Sequence, residues 1–165
     1  MRPKVRLVTA AGLLIVASAA TATQVLQDRI WYQSRAGTLH YPRNEPIALP
    51  PSERLHAMAM ADSCPAIGGP RGVYRYMNGK LWLVGLSRCG STIGLRDAYP
   101  TMLTPPVATW VSGVVVARLG RKMCTGPDGS PVLETEVVLK VDKGIVESRV
   151  EKAGAHSACA GDTGR

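Results

Sequence analysis

The sequence predicts a mainly β protein: a small antiparallel barrel or sandwich of about five strands, preceded by an N-terminal apolar helix and a proline-rich linker. Three observations carry that expectation. Asn78-Gly79 separates two alternating runs in "VYRYMNGKLWLVGL", and Asn-Gly is the pair a two-residue hairpin prefers because both positions need positive φ. Val132 to Val141 alternates apolar and polar residues, the period of a half-buried strand. Prolines at 42, 46, 50 and 51 forbid helix and interior strand within "YPRNEPIALPPSER", which reads as an extended linker.

At 165 residues the chain is the size of one ordinary domain with extra segments. It contains no Phe, so its core must be built from Val, Leu, Ile, Met, Tyr and Trp.

In chain order, Arg2, Lys4 and Arg6 precede an apolar run from Leu7 to Ala20, and Ala20-Thr21-Ala22 offers the small-x-small pattern of a signal-peptidase site. Residues 1–22 read as a signal peptide or as an uncleaved membrane anchor, with Trp31 and Tyr32 then at the outer interface. Both readings place the rest of the chain outside the cytoplasm: periplasmic or secreted, or held at the cytoplasmic membrane by a single N-terminal helix. Residues 23–62 read as a stalk or linker, in which 24–37 form a short helix or an extended stalk. A second helix runs from Ser52 to Asp62, with Ser52 as its cap and Leu55, Met58 and Ala59 on one face. The folded domain is expected over 63–152 and a tail over 153–165.

Within the domain the Asn78-Gly79 turn fixes a register. Met77 faces Lys80, Tyr76 faces Leu81, Arg75 faces Trp82 and Tyr74 faces Leu83, so Tyr74, Tyr76, Leu81 and Leu83 point to the core. The opposite face carries Arg75, Lys80 and Trp82. Further strands are expected from Trp110 to Leu119, from Val132 to Val141 with Leu133, Thr135, Val137, Leu139 and Val141 inward, and from Ile145 to Glu151 after a turn at Asp142 to Gly144.

Cys64, Cys89, Cys124 and Cys159 are each followed five residues later by glycine. The stretches between them share no repeat, and isolated cysteines lack the paired spacing of a zinc knuckle. An even count beyond an export signal predicts two disulfides, with three pairings open and Cys159 tethering the tail. The glycines read as turn residues supplying positive φ beside each cysteine.

Signatures of catalysis are sparse. "GLSRCG" misses the spacing of a nucleophile elbow, so Ser87 reads as a turn serine. There is no phosphate-binding loop, dinucleotide fingerprint or zinc-protease motif, and His40, His56 and His156 fall outside the strand-forming segments. In "HAMAM" an extended backbone would set His56, Met58 and Met60 on one side as soft ligands for cuprous copper, whereas a helix would not.

Charge is more informative. The net charge is +8, and between Ser63 and Lys122 the residues Arg71, Arg75, Lys80, Arg88, Arg96, Arg118, Arg121 and Lys122 are opposed only by Asp97. The expected function is an exported, non-catalytic binding or assembly module of the cell envelope, free of metal and cofactor. It recognises an envelope protein or an anionic polymer through Arg75, Lys80 and Trp82. A small secreted hydrolase or toxin is the alternative, and a copper-binding envelope protein the third.

Overall fold

A computed structural model describes residues 26–60, 69–89, 91–126, 131–154 and 159. Eight strands form one sheet: β1 (Asp28–Tyr32), β2 (Arg35–His40), β3 (Arg71–Met77), β4 (Lys80–Arg88), β5 (Ser91–Ile93), β6 (Gly113–Thr125), β7 (Pro131–Asp142) and β8 (Ile145–Ala153), with helices α1 (Glu53–Met60) and α2 (Leu95–Ala98). The strand order is β3-β1-β2-β6-β7-β8-β4-β5, and an additional β3–β4 pairing closes seven of them into a ring. The sheet therefore exceeds the five strands expected, and one pair, β1–β3, is parallel.

The central hairpin forms as its turn dictates. Asn78 and Gly79 have φ of 53° and 72°, and the register places Met77 opposite Lys80, Tyr76 opposite Leu81, Arg75 opposite Trp82 and Tyr74 opposite Leu83. Tyr74, Leu81 and Leu83 are fully buried, and Tyr76 is half-buried against the core. In β7, Val137, Leu139 and Val141 are buried, whereas Leu133 and Thr135 are only half-buried. The third expected strand is β8. Lys143 and Gly144 turn the chain into it at φ of 44° and 78°. A side chain at 144 would also strike the Ala108 carbonyl, 2.8 Å from an added Cβ.

Two segments expected as stalk are part of the fold. The alternation of β1 sends Asp28, Ile30 and Tyr32 inward and Arg29 and Trp31 outward. Five residues are too few to distinguish this pattern from a frayed helix in sequence, and Gln33-Ser34, which turn into β2 at φ of 46° and 69°, are not residues that announce such a turn. The domain thus begins before Cys64.

The proline-rich segment is extended, as its prolines require, but it packs on the domain instead of spanning a gap. Ile47 is 1% exposed, and the Asp28 carboxylate accepts hydrogen bonds from the N–H groups of Ile47 and Gly72, each at 2.7 Å. Tyr99 donates its hydroxyl to the Pro50 carbonyl at 2.8 Å. Ser52 caps α1, its Oγ accepting from Leu55 N at 3.0 Å, and donates to the Ala98 carbonyl at 2.6 Å. Leu55 and Met58 pack against the core, while Ala59 is exposed.

At one end of the ring, the rings of Tyr32 and Tyr76 stack with centroids 5.0 Å apart. Arg35 lies over Tyr32 and Arg149 over Tyr76, each 5.8 Å from the centroid. Arg149 also donates to the Tyr76 hydroxyl at 3.0 Å, and Arg35 pairs with Glu151 at 2.8 Å.

Cys124 is bonded to Cys159 with a Cα–Cα separation of 5.9 Å, which ties the tail to the end of β6. Cys89 is also disulfide-bonded, and Cys64 lies outside the described residues. The glycine reading is divided. Gly69 has φ of 69°, but Gly94 has φ of −66° and starts α2, its N–H bonded to the Asp97 carboxylate at 3.0 Å. Gly129 and Gly164 lie outside the described residues.

Candidate functional site

β1, β3 and β4 lie side by side in the sheet, and the residues that alternate away from the interior share one outer face. Register places Trp31 beside Arg75 across β1–β3 and Arg75 beside Trp82 across β3–β4. A row Trp31–Arg75–Trp82 therefore crosses three strands, with the two tryptophan Cα atoms about 10 Å apart from the spacing of neighbouring strands. Met77 and Lys80 form the next row, and Arg29 stands two positions before Trp31 on β1. Trp31 and Met77 are each 45% exposed; Arg29, Arg75 and Lys80 are exposed and Trp82 is half-buried.

The Trp82 side chain is fixed at its edge. Its indole N–H donates to the Met77 carbonyl at 3.2 Å, and its backbone forms an antiparallel bridge with Val107. Although Arg75 faces Trp82 across the strands, its guanidinium does not stack on the indole: guanidinium–ring contacts among the described residues are those of Arg35 and Arg149. Arg75 is exposed and stands in register between Trp31 and Trp82.

Folding also sorts the basic middle segment. β7 brings carboxylates to β6, so that Arg118 pairs with Glu136 at 3.6 Å and Arg121 with Glu134 at 2.8 Å. Arg71 lies close enough to Asp28 to favour its ionised form. Among the described residues Arg29, Arg75 and Lys80 have no ion-pair partner. No acidic residue alternates onto the outer face of β1, β3 or β4. Of the eight cations in the basic middle segment, Arg118 and Arg121 are thus held against carboxylates of β7, whereas Arg75 and Lys80 belong to the basic, aromatic face here.

Arg75, Lys80 and Trp82 are brought together as their register requires. Arg29 and Trp31 were missed in the sequence because β1 reads as stalk; the signal that marks them is the five-residue alternation ending at Tyr32.

Other chemistry is less developed. His56, Met58 and Met60 lie on α1, where His56 and Met60 are exposed and Met58 packs inward, so the helix separates the three soft ligands. Among the described residues no group of three or more His, Cys, Asp or Glu could hold a metal ion. Ser87 is a buried strand residue paired with Arg71 and Thr92, not a turn serine. Asp28 and His40 line a cavity of about 150 Å³ with Leu26, Gln27, Leu39, Asn44 and Pro46, a lining that includes no Ser, Thr, Cys or Lys. Burial lowers the pKa of His40, partly offset by its Nδ1 contact with the Tyr41 carbonyl at 2.8 Å. His156 lies outside the described residues.

Comparison with protein-family models, with curated proteins and with solved structures finds no match to this chain. No helix among the described residues is long and apolar enough to cross a membrane, and residues 1–22 lie outside them.

Proposed function

We propose that this protein is an exported binding or assembly module of the cell envelope, and that the face formed by Arg29, Trp31, Arg75, Lys80 and Trp82 docks an anionic partner. The observation that carries the reading is the row Trp31–Arg75–Trp82. An arginine with no ion-pair partner among the described residues, set in register between two tryptophans, offers charge to an anion and apolar surface to whatever bears it. The Cys124–Cys159 bridge supports an oxidising compartment, where such bonds persist.

The experiment is a titration of the purified chain with three fluorescent polyanions of different backbone: a sulfated polysaccharide, a single-stranded oligonucleotide and poly-glutamate. Binding should weaken as salt rises and should fall in the Arg75→Glu/Lys80→Glu variant while its melting temperature holds. Equal binding by wild type and a folded double variant would return these residues to the role of solvated surface.

A further inference from the structure

β8 is hydrogen-bonded to β7 along one edge and meets β4 along the other only where it begins. Ile145 pairs with Lys80, and Val146 N donates to the Gly79 carbonyl at 2.8 Å. From Glu147 to Ala153 that second edge has no backbone partner among the described residues. Every residue of this stretch is exposed, including Val150 at 62%. An unpaired edge of this length is a template for another strand. We infer that a second copy of this chain occupies it, the two β8 strands pairing antiparallel about a two-fold axis at Val150.

The backbone selects which groups are offered. Gly154 N donates to the Glu134 carbonyl of β7 at 2.9 Å, continuing the register Thr135–Ala153 and Glu136–Lys152. By alternation, the backbone groups of Ser148, Val150 and Lys152 turn toward β7, and those of Arg149, Glu151 and Ala153 turn outward. A symmetric partner must exchange hydrogen bonds between these outward residues.

Side chains then select the register. Centring the axis on Arg149, Glu151 or Lys152 sets a charge directly against its own copy, which is destabilising. Centring it on Ser148 drives the partner strand onto Val146 and Ile145, where the β3–β4 hairpin already sits. Centring it on Val150 sets Arg149 opposite Glu151 of the second copy, twice by symmetry, with Val150 opposite Val150 and Glu147 opposite Ala153.

The outer face supports the same axis. Val116 faces Val138, and Val138 faces Val150, a cross-strand apolar row that ends at the free edge and would continue into its own copy. A charged row borders it, Glu136 holding Arg118 at 3.6 Å and Lys152 at 2.9 Å. Such a patch, apolar along its middle and polar at its rim, is self-complementary, as a two-fold contact requires. Arg149 and Glu151 keep their contacts to Tyr76 and Arg35 and each gains a second partner.

The test combines sedimentation of the purified chain over a concentration series up to ~1 mM with residue-resolved hydrogen exchange. The expected result is a reversible dimer in which the amides of Arg149 and Glu151 are protected only at high concentration. Val150→Arg, at a site already exposed in the monomer, should weaken dimerisation by about tenfold or more by setting like charges on the axis, and Val150→Ile should retain it. A monomer throughout the series overturns the inference. So does a dimer indifferent to Val150→Arg, or equal protection of Arg149 and Glu151 in the dilute monomer.

Discussion

Trp31 is the register partner of Arg75 across the only parallel pair among the described strands, β1–β3. The pairing turns a residue that sequence places on a stalk into part of the same face as Trp82. If that face binds, Trp31→Ala should cost about 1 kcal/mol or more of affinity for the preferred polyanion. Because Trp31 is 45% exposed, thermal melts should stay within about 0.5 kcal/mol of wild type. Fluorescence titration beside the melts checks both halves; unchanged affinity removes Trp31 from the surface.

The buried side of the same hairpin should behave in the opposite way. Leu83 is 0% exposed in the core cluster, so Leu83→Ala should destabilise by roughly 2 to 5 kcal/mol through lost burial and the cavity left behind. Urea unfolding should show the midpoint falling with an unchanged slope. A loss well under 1 kcal/mol would contradict the packing of β4.

The Cys124–Cys159 bridge spans a sequence separation of 35, a loop whose closure restricts the unfolded chain by about 3 to 4 kcal/mol in the chain-entropy account. The Cys124→Ser/Cys159→Ser variant should be less stable by up to that amount. Peptide mapping without reductant should recover a cross-linked Cys124/Cys159 peptide. Recovery of Cys124 joined to Cys89 would refute the connectivity.

Asp28 predicts an inverted pH dependence. Burial raises its pKa to about 6 from an ordinary 3.8, against the opposing effect of the Ile47 and Gly72 N–H groups and of Arg71. Between those values the folded state binds more protons than the unfolded, so this group's contribution is fully present below about pH 4 and is lost as pH rises through 6. A shift of that size is worth at most about 3 kcal/mol. His40, with its pKa lowered by burial, acts in the other direction, losing stability as pH falls. The two separate in a comparison of wild type with Asp28→Asn. Their stability difference, followed by urea unfolding from pH 4 to 8, should vary through the Asp28 window and level off above it. A flat difference would show that Asp28 titrates normally.

Sequence by itself determined the local β elements with strong turn chemistry or alternation. The Asn78-Gly79 hairpin and its register followed from backbone sterics, Ser52 capped α1 as a hydroxyl at that position should, and the Asp142–Gly144 turn fell where glycine permits positive φ. Arg75, Lys80 and Trp82 were legible as one face because a fixed register fixes which side chains alternate together. Tertiary structure decided what depends on contacts distant along the chain. Asp28 recruits Ile47 and Gly72 and so makes the proline-rich segment a packed element, and β1 is a strand because β2 and β3 pair with it. β7 sets carboxylates against Arg118 and Arg121, while Arg29, Arg75 and Lys80 have no ion-pair partner among the described residues. A short strand has little intrinsic stability and charges have no fixed neighbours in an unfolded chain, so neither property exists until the sheet brings the partners together.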